Sequence, residues 1–230
     1  MTHSLTEVQA RDEICRVGKS LFDRGYVHAT AGNISVKLDA DQGGGYLITP
    51  TDACLGFLDP TRLARLDEAG QQISGDRASK TIALHSQIYA ASAESPTAAR
   101  CIIHTHSTHC VALTLSSSAA MQELLPPLTP YFVMKVGHVP LIPYHRPGDP
   151  SAAKVVADVI LKYKNSGIPI RAVMLAGLGP NVWHDSPSTA MATLEELEET
   201  AKLWQFSSGE AHTLTNDRIE ELRQTFGAFW

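Results

Sequence analysis

An α/β fold, with one sheet held between layers of helix, is what this 230-residue chain predicts. Three observations carry the prediction. Segments with apolar residues at helical spacing alternate with short runs of strand character. No linker, repeat or low-complexity stretch separates them, so residues 1–230 read as a single domain. A hydrophobic share of 43% against 19% charged residues supplies enough apolar material for a buried core.

The elements follow in order. "LTEVQARDEICRVGKSLFDRGY" has helical spacing and should end near Gly25. "NISVKL" and "GYLITP" read as strands parted by the polar turn "DADQGGG". "KTIALHSQIYAASAE" reads as a helix stopped by Ser95-Pro96. "ARCIIHTH" is a buried strand and "STHCVALTL" the helix leaving it. "VPLIPY" is a further strand. "PSAAKVVADVILKYKNSG" opens with Pro150 after Asp149 and closes at Gly167, as a punctuated helix should. "IRAVMLAG" is a strand, "STAMATLEELEETAKLWQFSS" a long helix, and "TNDRIEELRQTF" a last helix capped by Thr215 or Asn216.

Charge excludes some functions. Net charge is −5 with both signs mixed along the chain, which offers no footprint for nucleic acid or an anionic membrane. The first residues lack a basic-then-apolar leader, and no run approaches the ~20 apolar residues of a membrane span. Cys15, Cys54, Cys101 and Cys110 show no CxxC spacing and read as reduced thiols. A cytoplasmic protein is the expectation.

The stretch "CIIHTHSTHCVALTL" holds His104, His106 and His109. On a strand, His104 and His106 share a face while Thr105 points opposite. Two imidazoles at an exposed strand end can hold a divalent cation. His109 falls on the next helix and need not face the same point. From the spacing alone a second reading stays open, a polar strand end whose histidines bond to backbone or water.

Several ordered blocks add to this: "TAGNISVKL", "LITPTDACLG", "HTHSTHCVAL", "LPPLTPYFVMKVGHVPLIPYHRPGD" and "EELEETAKL". Together they resemble the class II aldolase/adducin family. Within it the likeness is nearest to the 3-oxo-tetronate 4-phosphate decarboxylase branch, with L-fuculose-1-phosphate aldolase as a relative. It runs from the first helix to about Phe206. The resemblance implies a three-layer α/β/α domain with a central, mostly antiparallel sheet, and a homotetramer with sites between subunits. It also implies a divalent metal, zinc first and manganese second, that stabilises an enediolate during carbon–carbon cleavage of a small-molecule substrate. His104 and His106 match two metal ligands. Tyr131 matches a proton donor supplied by a neighbouring subunit. Thr30, Gly32, Asn33, Thr51 and Ser79 match phosphate-binding loops, where backbone amides and hydroxyls cradle an anion.

Three positions depart from the family pattern. Leu178, in "AGLGP", stands where an "NHGP"-like motif places the third metal histidine, with Gly177 in place of its asparagine. Thr81, in "SKT", stands where "SKE" places a catalytic glutamate. Asp52 replaces the glycine of "TPTG" and sets a negative charge in the anion loop, to be neutralised by Lys80 or another base. Leucine cannot ligate a metal, and threonine has no pKa suited to a general base. His28 and His145, polar where the branch has other residues, are candidate replacement ligands or proton carriers.

Two functions follow. The first is a metal-dependent carbon–carbon lyase, decarboxylase or aldolase, acting on a small oxo-, hydroxy- or sugar acid that can carry a phosphate. The second is a catalytically impaired or non-enzymatic relative that binds a small ligand. The lost glutamate argues against ordinary aldol or decarboxylation chemistry; the retained His-Thr-His pair and Tyr131 argue for some remaining site.

The remaining features take plainer readings. His85 reads as a helix-packing histidine. His138 and His184 read as solvent-facing, and His212 carries no signal. Lys135 is either a partner for a substrate carboxylate or a surface lysine. "EELEET" reads as a solvated helix face with Glu198 meeting Lys202; Thr193 and Leu197 belong to the buried side.

Overall fold

A computed structural model describes residues 5–116, 123–208 and 210–230. Thr6 starts the first helix, α1 (Glu7–Asp23), through a capping box with Gln9. The helix stops at Arg24, and Gly25 turns the chain with φ +76°. The other helices are α2 (Ile82–Ser92), α3 (Thr108–Ser116), α4 (Pro130–Lys135), α5 (Pro150–Asn165), α6 (Pro187–Phe206) and α7 (Asn216–Phe226). Asp149 caps α5 by accepting the Ser151 N–H, and Thr215 is the N-cap of α7.

The strands are β1 (Asn33–Lys37), β2 (Tyr46–Ile48), β3 (Ala64–Leu66), β4 (Gln72–Ser74), β5 (Cys101–His104), β6 (Leu141–Ile142), β7 (Ala172–Leu175) and β8 (Gly179–His184). They form one sheet in the order β4-β3-β2-β1-β5-β8-β7-β6, in which only β6 and β7 run parallel. Four elements go beyond the sequence reading: β3, β4, β8 and the short helix α4.

Alternation along the central strands sorts side chains into two layers. Ile34, Val36, Cys101 and Ile103 pack with Ile14, Val17 and Leu21 of α1 and with Leu194 and Leu197 of α6. Ile102 and Trp183 pack on the other face with Ile88 of α2 and Val156 and Ile160 of α5. The sheet therefore has helices on both faces, as the α/β/α expectation required.

The same alternation places His104 on the α2–α5 face, at the end of a strand buried along its whole length. Its partners in register are Asn33 on β1 and Asn181 on β8. Three polar residues thus form a row across the centre of the sheet, and two of them, Asn33 and His104, line the site.

Candidate active site

Backbone close approach holds the histidine segment. Gly32 has φ +86°, and a Cβ there would sit 2.8 Å from the His104 carbonyl oxygen. Gly179, at φ +113°, presses in the same way on the Thr105 carbonyl. A side chain at either position would push the segment out of place.

His104 is 6% exposed and sits with Nδ1 2.9 Å from the Pro180 carbonyl oxygen. That carbonyl can only accept, so Nδ1 carries the proton and Nε2 keeps its lone pair. Burial, then the charge of His106, pushes the His104 pKa down to about 4. His106 is lowered by its own burial and by His28. The two rings lie edge to face with centroids 5.0 Å apart. Both are neutral imidazoles near neutral pH, which is the form a metal requires.

A cleft of about 500 Å³ opens above the pair. Thr30, Gly32, Asn33, Thr51, Asp52, Ser79 and Lys80 all line it, as the sequence reading expected. Thr81, Leu178 and His145 line it too, so the three departures, Thr81, Leu178 and Asp52, border one cavity. Arg146, which the sequence reading passed over, joins the wall beside Asp149. Its signal was "HRPGD", a basic residue in a Pro- and Gly-held turn. Among the described residues neither Lys80 nor Arg146 pairs with a carboxylate. Asp52 is therefore not neutralised by Lys80 through a direct ion pair. Its φ of +57° is the left-handed region that a glycine occupies freely, in keeping with the family pattern there.

The fit to a metal is partial. His104 and His106 supply two nitrogen donors with the correct tautomer available. Among the described residues no group of three His, Cys, Asp or Glu could hold a metal. Among the described residues neither His28 nor His145 forms such a group with the pair. His28 is exposed on the turn before Thr30 and does not line the cleft. His145 faces it with Nδ1 2.8 Å from the Pro143 carbonyl oxygen, which leaves Nε2 open as a proton carrier.

Tyr131 lies on α4, 61% exposed, and does not line this cleft. Lys135 is also exposed on α4, away from the cleft, and takes the surface reading. His109 turns away to Glu198, its Nδ1 2.8 Å from Oε1. His85 is fully buried, with Nδ1 2.8 Å from Ser35 Oγ, and burial beside His104 pushes its pKa to about 3.

Three plain readings are corrected. His138 is not solvent-facing: its Nδ1 lies 2.8 Å from Glu123, and its ring stacks on Trp230 at 4.3 Å. His184 is half-buried against Asp185. Glu198 is not part of a solvated face; its carboxylate is buried and accepts the backbone N–H groups of His109 and Cys110 at 2.9 and 3.0 Å. Lys202 pairs instead with Glu199.

Comparison with known proteins bears directly on this cleft. The family described as "Class II Aldolase and Adducin N-terminal domain" matches residues 12–205. A 3-oxo-tetronate 4-phosphate decarboxylase from Cupriavidus necator is 50% identical, over 98% of this chain and 99% of its own length. An L-fuculose phosphate aldolase from Methanocaldococcus jannaschii is 32% identical, over 84% of this chain and 94% of its own. The crystal structure of YgbL from Klebsiella pneumoniae, an aldolase/epimerase/decarboxylase candidate, superimposes with a TM-score of 0.84. It is 39% identical and covers 95% of this chain and 100% of its own.

Proposed function

The chain belongs to the class II aldolase and adducin family and is a metal-dependent carbon–carbon lyase; on that premise we propose that it decarboxylates a 3-oxo-tetronate 4-phosphate. One observation carries the choice of reaction: Thr81, at the position the family resemblance gives to a glutamate, lines the same cleft as His104 and His106. Aldol cleavage begins by removing a hydroxyl proton, which needs a base. Loss of CO2 from a 3-oxo acid needs none. The C1–C2 bond breaks, its electron pair passes into the C2–C3–oxygen system, and C2 then takes up a proton. The lost glutamate therefore weighs against aldol chemistry and not, as the sequence reading had it, against decarboxylation.

The chain's own residues divide the remaining work. His104 and His106 would hold a divalent cation, which would supply Lewis acidity at the 3-oxo group when bound. Zinc suits two imidazole donors better than manganese, which favours oxygen. Lys80 and Arg146 are the unpaired cations available for the substrate's phosphate and carboxylate. Asn33, Thr51 and Ser79 orient its oxygens. Tyr131, exposed and remote from its own cleft, would supply the C2 proton to a neighbouring subunit's site in a homotetramer. We also read residues 1–230 as one domain and the protein as cytoplasmic; its four cysteines are free thiols. Among the described residues no helix is long and apolar enough to cross a membrane.

The test is turnover of 3-oxo-tetronate 4-phosphate by zinc-loaded protein, followed by CO2 release and by appearance of the hydroxyketone phosphate. L-Fuculose 1-phosphate is offered in parallel. Release of CO2 with no cleavage of the sugar phosphate is expected. Cleavage of the sugar phosphate without CO2 release from the oxo-acid would overturn the assignment.

A further inference from the structure

Thr81 does more than mark a missing glutamate. It occupies the N-cap position of α2, yet its side chain makes no capping hydrogen bond. Instead Oγ1 accepts from Asn33 Nδ2 at 3.2 Å and from Ser79 Oγ at 3.3 Å. A hydroxyl has two acceptor sites and one proton. In that arrangement both acceptor sites are used inside the wall and the O–H is free to point away from Asn33 and Ser79; the competing acceptor is Asn33 Oδ1, buried without a partner, which a turned amide would offer to the same hydroxyl. Thr81 lines the cleft beside His104 and His106, so the direction away from the wall is the substrate's. Asn33 is itself fixed as the register partner of His104, which ties the hydroxyl's aim to the metal-binding strand.

We infer that the Thr81 hydroxyl is a catalytic residue, an oriented hydrogen-bond donor to the oxyanion that develops on the substrate as its carbon–carbon bond breaks. The inference rests on the decarboxylase reading above. It moves no proton: the C1–C2 electron pair passes to the C2–C3–oxygen system, CO2 leaves, and Thr81 O–H donates to the negative oxygen throughout. A preorganised donor of this kind costs no reorganisation at the moment of reaction. Glutamate at the same place is acceptor-only when ionised and would repel that charge. The substitution thus turns a base into a donor, and suits a reaction in which charge appears without any proton being removed.

The experiment compares Thr81→Val, Thr81→Ser and Thr81→Glu with the parent protein. Thr81→Val removes the acceptor of Asn33 Nδ2 and Ser79 Oγ and should melt below the parent, so binding and turnover are read at a temperature where both proteins remain folded. Oxalate, a planar dianion with adjacent oxygens like the enediolate, serves as a non-reacting probe by calorimetry on zinc-loaded protein. Thr81→Val should weaken oxalate by roughly tenfold or more, the loss expected for one hydrogen bond to a charged group. It should lower kcat on 3-oxo-tetronate 4-phosphate by a similar factor with KM little changed. Thr81→Ser should recover most of both losses, and Thr81→Glu should bind oxalate more weakly than Thr81→Val. Parent-like oxalate affinity and kcat in Thr81→Val would overturn the inference. If the parent protein fails to turn over the oxo-acid while oxalate binding still tracks the hydroxyl, the decarboxylase reading falls and the donor stands.

Discussion

Replacing Glu198 by alanine should destabilise the protein and loosen the metal site together. The Glu198 carboxylate reaches from α6 to the start of α3, where it accepts the N–H of His109 at 2.9 Å and of Cys110 at 3.0 Å. His109 Nδ1 adds a third contact at 2.8 Å. These are the orphan donors of a helix N-terminus, met by a charge of the favourable sign. Alanine leaves two amide donors with no acceptor, at about 1–3 kcal/mol each. Water reaches the half-buried His109 side more readily than Cys110, so about 3 kcal/mol in total is the working figure. For a chain of this size that lowers Tm by about 6–12 °C. Helix α3 begins two residues after His106, so the same change should weaken zinc binding. Burial alone would raise the Glu198 pKa, but the amide donors of His109 and Cys110 outweigh it and hold the carboxyl below its usual range. Its contribution is therefore complete above the unfolded pKa of about 4.3, and is lost as pH falls through the lower folded value. Glu198→Gln keeps the shape and one acceptor oxygen; it should lose about half as much and show a flatter acid limb. The assay is thermal unfolding from pH 7 to pH 3, with zinc affinity measured by competition with a chromophoric chelator. A Tm for Glu198→Ala within about 2 °C of the parent would refute the cost assigned to orphaned amides.

Further outcomes are expected at the metal pair and at the assembly. Changing His104 and His106 together to alanine should abolish zinc uptake, read by elemental analysis, while circular dichroism stays that of the parent. Leu178→His, across the cleft from the pair, should tighten zinc by at least roughly tenfold by adding the missing nitrogen; zinc retained by the double alanine protein would place the metal elsewhere. Light scattering at micromolar concentration should give a tetramer, and Tyr131→Phe should keep that assembly while losing decarboxylation. A monomer with full turnover would remove Tyr131 from the reaction.

The long helices were legible because their ends carry chemistry as well as period: Asp149-Pro150 before α5 and Gly25 after α1 are local signals. Strand β5 was legible through its apolar run, and with it the shared face of His104 and His106. Strand β8 was not. "GPNVWH" begins with two residues poor in strands and includes a proline that cannot donate to the ladder. It forms because it lies between β5 and β7 and pairs with both, a tertiary gain that overrides propensity. The same strand supplies the Pro180 carbonyl that sets the His104 tautomer, so missing it hid half of that residue's environment. Strands β3 and β4 have three residues each, too few for a period to show. Glu198 was misread because four acidic or polar neighbours make a run look solvated, while the donors its carboxylate accepts from lie almost ninety residues away. No local pattern encodes such a contact.

Taken one at a time, Thr81, Leu178 and Asp52 look like losses: a base, a ligand and an anion loop. Their placement around one cleft argues for a change of chemistry instead. A site with two imidazoles rather than three leaves more of the metal's coordination to water and substrate oxygens, which suits a ligand rich in adjacent oxygens. An oriented hydroxyl in place of a carboxylate removes a negative charge from the place where the reaction creates one. Asp52 restores a carboxylate at the cleft edge, on a backbone bent into the left-handed region, where it disfavours a phosphate in that loop. On the reading proposed above, Lys80 and Arg146 then remain to draw the phosphate. The charges are redistributed and not simply lost: Lys80 and Arg146 line the cleft together with Asp52 and Asp149. A degraded pocket has no reason to keep Asn33 and Ser79 both bonded to the hydroxyl of Thr81, or Gly32 and Gly179 both pressed against the His104–His106 segment. That retention, in the residues that aim the substitutions, is what separates a rebuilt site from a ruined one.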